Sequence, residues 1–409
     1  MRFFIKFFSF LLAITIVLVS APTIRAENVK TLTTENYTED IYEPLEKESA
    51  PVSSAADLQI TSKSAILVEE TTGEIIFEHN SHEKLSPASV TKIMSLILIM
   101  EAIERQDITL ETVITTSEHA NSMGGSQIWL KVGEKMSVDD LLKATVIASA
   151  NDATVALAEA VSGSEESFVA LMNERAKSLG MNDTTFKNAT GLDAEGHLTS
   201  AYDIALMSRE LLKYDLIKTY STVWMDTLRG GASELVNTNK LVRFYEGATG
   251  LKTGTTSKAG YCLSASATRD GLSLIAVVMD ASSSKVRFNE ARTLLSFGFA
   301  NYTFMEFTVP EEELTPIKVN KGAAQFIIPK AESTAKFLIP KIEKDNITHV
   351  TEIRDELAAP IEKGTQVGIA RIMLGDKEIA TVKIVSPESV KEMTFLRSFL
   401  LLLKQMAVI

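Results

Sequence analysis

Residues 261–279 read YCLSASATRDGLSLIAVVM, and this stretch sets the architecture. Tyr261 to Thr268 and Leu272 to Met279 are β-rich runs joined across Arg269-Asp270-Gly271. Asp-Gly between two such runs is a hairpin signal, because the turns that match strand twist need residues that accept positive φ. Much earlier, Ser64 to Glu69 and Glu74 to Glu78 form a second β-rich pair around a turn containing Thr72-Gly73. Helical periodicity dominates between them. A helix is expected from Ser89 to near Arg105-Gln106, and residues 107–180 read mainly as helices. Val138 to Val161 is helical but broken at Ser149–Asp152, Phe168 to Leu179 is stopped by Gly180, and Thr199 to Leu212 follows. Leu251 to Gly254 is a short strand and Asn289 to Phe299 a closing helix. Strands at both ends of a helical middle predict one α+β domain, residues 61–302, whose sheet pairs early strands with late ones.

The flanks differ in character. Residues 1–26 have a basic start, Arg2 and Lys6, then an apolar stretch from Phe7 to Val19, with Ala26 as the last residue removed if they form an export signal. Phe7 to Ile24 is 18 uncharged residues and just long enough to span a bilayer, so an uncleaved anchor is the competing expectation. Ser20, Pro22 and Thr23 interrupt the far end and favour cleavage. Either way the body lies outside the cytoplasmic membrane. Residues 27–60 are acidic and aperiodic and read as a flexible leader. In residues 303–387, Pro310, Pro316, Pro329, Pro340 and Pro360 punctuate short strand-like runs, with Gln366 to Leu374 and Glu378 to Val385 flanking Gly375-Asp376-Lys377 as a hairpin. They read as a small all-β domain without catalytic groups. In residues 388–409, Phe395, Leu396, Phe399, Leu400, Leu402, Leu403 and Met406 cover one helical side, with Arg397 and Lys404 on the other. The uncharged run Ser398 to Leu403 is too short to span, so an amphipathic helix in the membrane surface is expected.

Composition narrows the function. Net charge is −12, and without residues 1–26 it is −15, which argues against a nucleic-acid partner. No phosphate-cradling glycine motif is present. The single cysteine, Cys262, excludes an internal disulfide and a cysteine zinc cluster. The five histidines form no H-E-x-x-H, and no metal or cofactor is called for.

Chemistry concentrates in three short motifs. Ser89-Val90-Thr91-Lys92 reads S-x-x-K directly before the apolar run Ile93 to Met100. Three-residue spacing puts serine and lysine on one helical face, where hydroxyl and amine can meet. A free serine is a weak nucleophile that needs a base, and a lysine half buried in apolar surroundings can lose its proton near neutral pH. Ser149-Ala150-Asn151 falls at the break between helices, and Lys252-Thr253-Gly254 at a strand start.

These motifs, in this order, resemble the low-molecular-mass penicillin-binding proteins, specifically the serine-type D-Ala-D-Ala carboxypeptidases. The phrases Gly191-Leu192-Asp193-Ala194-Glu195-Gly196 and Lys258-Ala259-Gly260-Tyr261 match as well, and the resemblance spans residues 61–409. It implies a penicillin-binding/β-lactamase-like transpeptidase domain of α+β class followed by the all-β domain and the terminal helix. It implies that Ser89 attacks the carbonyl between two D-alanines, with Lys92 as base and Ser149 relaying a proton to the leaving D-alanine. Asn151 would hold Lys92 and the substrate amide, and Lys252 would tune Ser149. Thr253, Gly254 and Thr255 would line the strand that pairs with the peptide, with Gly254 leaving room for it. Backbone N–H groups of Ser89 and Thr255 would form an oxyanion hole. Arg287, expected between strand and closing helix, would meet the substrate carboxylate. The implied partners are the peptidoglycan stem peptide, β-lactams as covalent inhibitors, and a membrane surface. A β-lactamase would need a dedicated deacylating glutamate, and no E-x-x-L-N-like phrase lies between Ser149 and Lys252. A non-catalytic envelope protein on the same scaffold is the third reading.

Overall fold

The computed structural model describes residues 54–395 together with Phe399 and Leu403. The export signal, most of the leader, and most of the terminal helix called from the sequence lie outside the described residues.

A five-stranded antiparallel sheet forms the centre of the first domain. Its strands are β1 (Ser64–Glu69), β2 (Ile75–His79), β3 (Ala248–Thr256), β4 (Gly260–Arg269) and β5 (Leu272–Ala281). Their order is β2-β1-β5-β4-β3, so the first strand pairs directly with the last, with Ala65 opposite Val278 and Ile66 opposite Val277. The sheet is buried on both faces, which explains why β1 and β5 are apolar without a polar alternate. Strand periodicity sorts their side chains into two cores. Ile66, Val68, Ile275, Val277 and Met279 join the core of the helical middle. Ala65, Leu67, Leu274, Ala276 and Val278 join Phe288, Ala291, Leu294 and Leu295 on the opposite face.

The helical middle contains α1 (Lys92–Glu104), α2 (Val138–Val146), α3 (Asn151–Ser162), α4 (Glu165–Ser178) and α5 (Ala201–Leu212). In α1, Ile93 to Met100 are all buried, as an all-round apolar helix must be. The closing helix α6 (Ser284–Asn301) is capped by Ser283, whose hydroxyl accepts from the Val286 N–H, and it covers the other sheet face.

Four expectations need correction. The Ser89 helix begins later: Ala88–Thr91 is a 3-10 turn, and α1 starts at Lys92. Residues 107–180 are not mainly helical before Val138, because Val113–Thr115 pairs with Lys135–Ser137 in a small hairpin built on β-branched residues. The folded domain starts before residue 61. Leu58 is buried in the second core, and Glu290 on α6 accepts N–H bonds from Thr61 and Ser62. Finally, Arg287 lies inside α6 and not ahead of it.

The second domain is all β, with its own core around Val319, Phe337, Ala370, Ile372 and Val382. Gln366–Leu374 and Lys377–Val385 pair as the expected hairpin, turning at Gly375 with φ 58°. The segment expected to be helical from 388 first stays with this domain: Val390 bridges to Ile361 and Glu392 to Gly322. Helix is described only at Phe395, Phe399 and Leu403. No helix among the described residues is long and apolar enough to cross a membrane.

Candidate active site

Ser89 sits in the 3-10 turn immediately before α1, and Lys92 closes that turn. Residues three apart eclipse in a 3-10 helix, which stacks amine over hydroxyl more directly than an α-helical turn would. The Lys92 Nζ–Ser89 Oγ distance is 2.9 Å. Lys92 is fully buried, whereas Ser89 is half-buried and reachable. The same amine donates to Asn151 Oδ1 at 2.6 Å and to the Thr190 carbonyl at 3.0 Å. Burial, reinforced by the neighbouring Lys252 charge, holds the Lys92 pKa well below its ordinary value. Both favour the neutral amine that can take a proton.

Ser149 and Asn151 stand where α2 gives way to α3. Asn151 opens α3; its side-chain amide donates to the Gly124 carbonyl at 2.6 Å while its oxygen faces Lys92. Its neighbour Asp152 is buried and accepts from the N–H groups of Ile128 and Leu130, fixing the 124–130 loop to the same helix start. Ser149 has φ 61° and is 3 % exposed, and its hydroxyl has no hydrogen-bond partner among the described residues.

Lys252, Thr253, Gly254 and Thr255 lie on β3, the edge strand of the sheet nearest this turn. A Cβ on Gly254 would stand 2.7 Å from the Pro87 carbonyl oxygen and 2.9 Å from the Ser89 nitrogen. The glycine therefore lets the strand touch the nucleophile's own turn; the expected reason, room for a peptide, is not the constraint seen. Lys252 is 1 % exposed and its amine, like the Ser149 hydroxyl, is unpaired among the described residues. Burial and then the Arg287 charge bring its pKa down to about 7. Buried polar atoms are rarely left without partners, so two on motif residues suit groups that meet a substrate. Thr253 donates to Thr238 Oγ1 at 2.8 Å, and the Thr238 N–H bonds to Ile147 O, tying β3 to the α2–α3 break. Arg287 is buried at 1 % exposure. Its guanidinium donates to Gly254 O at 3.1 Å, Thr255 Oγ1 at 3.0 Å and Cys262 O at 3.3 Å. Cys262 lies beneath the site, its thiol pushed up to about 11 by burial.

Sequence reasoning missed the loop that closes the site from the other side. Gly191 has φ 87°, and a Cβ there would stand 1.8 Å from the Ala88 carbonyl oxygen, so only glycine permits this approach. Thr190, just before it, supplies the carbonyl that holds Lys92. His197 is 2 % exposed; its Nδ1 accepts from the Lys187 N–H, so Nε2 carries the proton and donates to Thr91 Oγ1 at 2.9 Å. Burial lowers its pKa to about 4, keeping the ring neutral. The signal was the matched phrase Gly191–Gly196, noted without a role for its neighbours.

Comparison with known proteins gives the family. A family model described as D-alanyl-D-alanine carboxypeptidase matches residues 50–283, and one described as Penicillin-binding protein 5, C-terminal domain, matches residues 304–392. The chain is 42% identical to D-alanyl-D-alanine carboxypeptidase DacF of Bacillus subtilis over 83% of this chain and 89% of that one. It is 34% identical to DacC of Escherichia coli, another D-alanyl-D-alanine carboxypeptidase, over 84% of this chain and 89% of the relative. Penicillin binding protein 5 from Haemophilus influenzae superposes with a TM-score of 0.73 at 30% identity, covering 84% of this chain and 100% of that one. With both of its domains matched at these levels, the chain belongs to the D-alanyl-D-alanine carboxypeptidase family.

Proposed function

We propose that the protein removes the terminal D-alanine from peptidoglycan stem peptides ending in D-Ala-D-Ala, through a Ser89 acyl-enzyme. The observation that carries this is the neutral-favoured Lys92 amine 2.9 Å from the Ser89 hydroxyl. Lys92 takes the hydroxyl proton as Ser89 Oγ bonds to the carbonyl carbon between the two D-alanines. The tetrahedral intermediate collapses with cleavage of the C–N bond. Ser149 hands its hydroxyl proton to the departing D-alanine nitrogen and takes back the proton held by Lys92, with Lys252 behind it. Backbone N–H groups of Ser89 and Thr255 meet the oxyanion. Water then cleaves the ester and restores Ser89. The peptide adds as an extended strand along the open edge of β3, where Asn151 meets its amide. Thr255, held by Arg287, and the guanidinium's charge receive the terminal carboxylate. The family's penicillin-binding names support β-lactams as covalent inhibitors at the same serine.

Incubation with a pentapeptide ending in D-Ala-D-Ala releases free D-alanine, and penicillin labels the protein persistently. Rapid turnover of penicillin without peptide cleavage would instead support the β-lactamase reading. Labelling by neither compound would support the non-catalytic one.

The proposed location is the outer face of the cytoplasmic membrane, after export by residues 1–26. Phe395, Phe399 and Leu403 repeat every four residues, so they share one helix face, and they are 86%, 49% and 46% exposed. An exposed apolar stripe of this kind suits the lipid interface. The full chain floats with anionic lipid vesicles and a chain ended after Thr394 does not; equal flotation of the two would remove the helix as anchor.

A further inference from the structure

Lys92 is held in place partly by a backbone carbonyl, and a backbone carbonyl is only as fixed as its segment. Residues 186–191 carry that carbonyl, at Thr190, and they have no regular secondary structure. Side chains from two helices suspend them. On α4, Asn173 exchanges two hydrogen bonds with the Phe186 backbone, at 2.9 and 3.0 Å. On α1, the Ser95 hydroxyl donates to Ala189 O at 2.6 Å. The third support is the Glu165 carboxylate at the start of α4. Its Oε1 accepts from the Ala189 N–H at 2.9 Å, and its Oε2 pairs with His119 Nε2 at 2.7 Å. With both oxygens engaged, the carboxylate cannot swing away from the segment. Asn188 tightens the far end, its Oδ1 accepting from Gly191 N at 2.7 Å. The Ala189 N–H that Glu165 holds lies one residue before the Thr190 carbonyl.

We propose that Glu165 is a positioning residue for the reaction: by fixing the Ala189 N–H it sets the Thr190 carbonyl against the Lys92 amine. It touches neither substrate nor Ser89 and acts through the backbone. This rests on the reading of Lys92 as the base. Glu165→Ala frees the segment, so the carbonyl no longer holds the amine at one angle to the serine. Small misplacements of a reacting group are costly, and acylation by penicillin slows by about tenfold or more. The carbonyl also favours the charged amine, so its loss lowers the Lys92 pKa further. The acid limb of the pH–rate profile therefore moves to lower pH while its plateau falls. Glu165→Gln keeps an oxygen for the Ala189 N–H, and its NH2 can still meet His119 Nε2 by donating to the neutral ring, so it retains most of the plateau rate.

The test is the pH profile of the penicillin acylation rate for wild type, Glu165→Ala, Glu165→Gln and Lys92→Ala. Each rate is expressed per molecule that finally labels, so unfolded protein does not count. A lowered plateau with a shifted limb in Glu165→Ala, rescued by Glu165→Gln, is the expected result. Glu165→Ala within about twofold of wild type and with an unmoved limb overturns the positioning role. A plateau equally low in Glu165→Gln, or a lowered plateau with an unmoved limb, also overturns it. If Lys92→Ala acylates at the wild-type rate, the base reading itself fails and takes this role with it. If Lys92→Ala is inactive while Glu165→Ala is normal, only the role of Glu165 fails.

Discussion

Ser89→Ala is expected to abolish covalent labelling by penicillin and to lower D-alanine release by at least about 10⁴-fold. Among the described residues of the three motifs, the Ser89 hydroxyl is half-buried and 2.9 Å from an amine whose pKa burial lowers. Ser149, the other serine of the motifs, is nearly fully buried and has no such base on its hydroxyl among the described residues. The substitution removes one oxygen, and Lys92 keeps its bonds to Asn151 and Thr190, so the fold and its melting temperature are retained. Loss of labelling with unchanged melting separates chemistry from stability. A Ser89→Ala protein that still labels would place the nucleophile elsewhere.

Lys92→Ala is expected to lower the acylation rate by about 10²–10⁴-fold, the usual contribution of a positioned base. Its pH behaviour is the sharper readout. As the proposed base, the wild-type lysine would act as the neutral amine, and burial and the neighbouring Lys252 depress its pKa. Acylation therefore rises with pH through that lowered pKa and is lost as pH falls below it, when the amine is protonated. In Lys92→Ala this limb disappears, and the residual rate depends on pH through other groups. The variant also strands the Asn151 oxygen and the Thr190 carbonyl, so some stability is lost too. Rates per labelled molecule remove that contribution. A Lys92→Ala enzyme that acylates normally, with its acid limb intact, contradicts the role of the lysine.

The sheet was legible because its strands carry strong local signals. Asp270-Gly271 between apolar runs, and Thr72-Gly73 at the other end, mark hairpins through turn chemistry alone. That early strands would pair with late ones followed from reading strands at the two ends of the domain, and β1 does pair with β5. The hairpin of Val113–Thr115 with Lys135–Ser137 was hidden because three-residue strands are too short to show a period. The hairpin Met225–Leu228 with Ser233–Val236, turning through Gly230-Gly231, carried a usable turn signal that was not drawn.

The site was legible as motifs but not as geometry. Ser89, Lys92, Asn151 and the Lys252–Thr255 strand do meet, because the motifs sit at element junctions that the fold brings to one edge of the sheet. Arg287 was singled out through the family resemblance, yet its burial in α6 and its bonds to the β3 backbone have no local sequence signal. The same holds for Glu165, His197 and Thr190. Their partners are 10 to 106 residues away in the chain, and an ordinary helix-start glutamate or lone histidine looks no different. Gly191 and Gly254 stood in matched motifs, but what forbids a side chain at each is the Ala88 or Pro87–Ser89 backbone, visible only in three dimensions.

The most direct test of the acyl-enzyme is peptide mapping of the penicillin adduct on the wild-type protein by mass spectrometry. One penicilloyl group per molecule, on the peptide containing Ser89 and attached at that serine, is the predicted result. An adduct at another residue, or penicillin consumed with no adduct at any time, would contradict it.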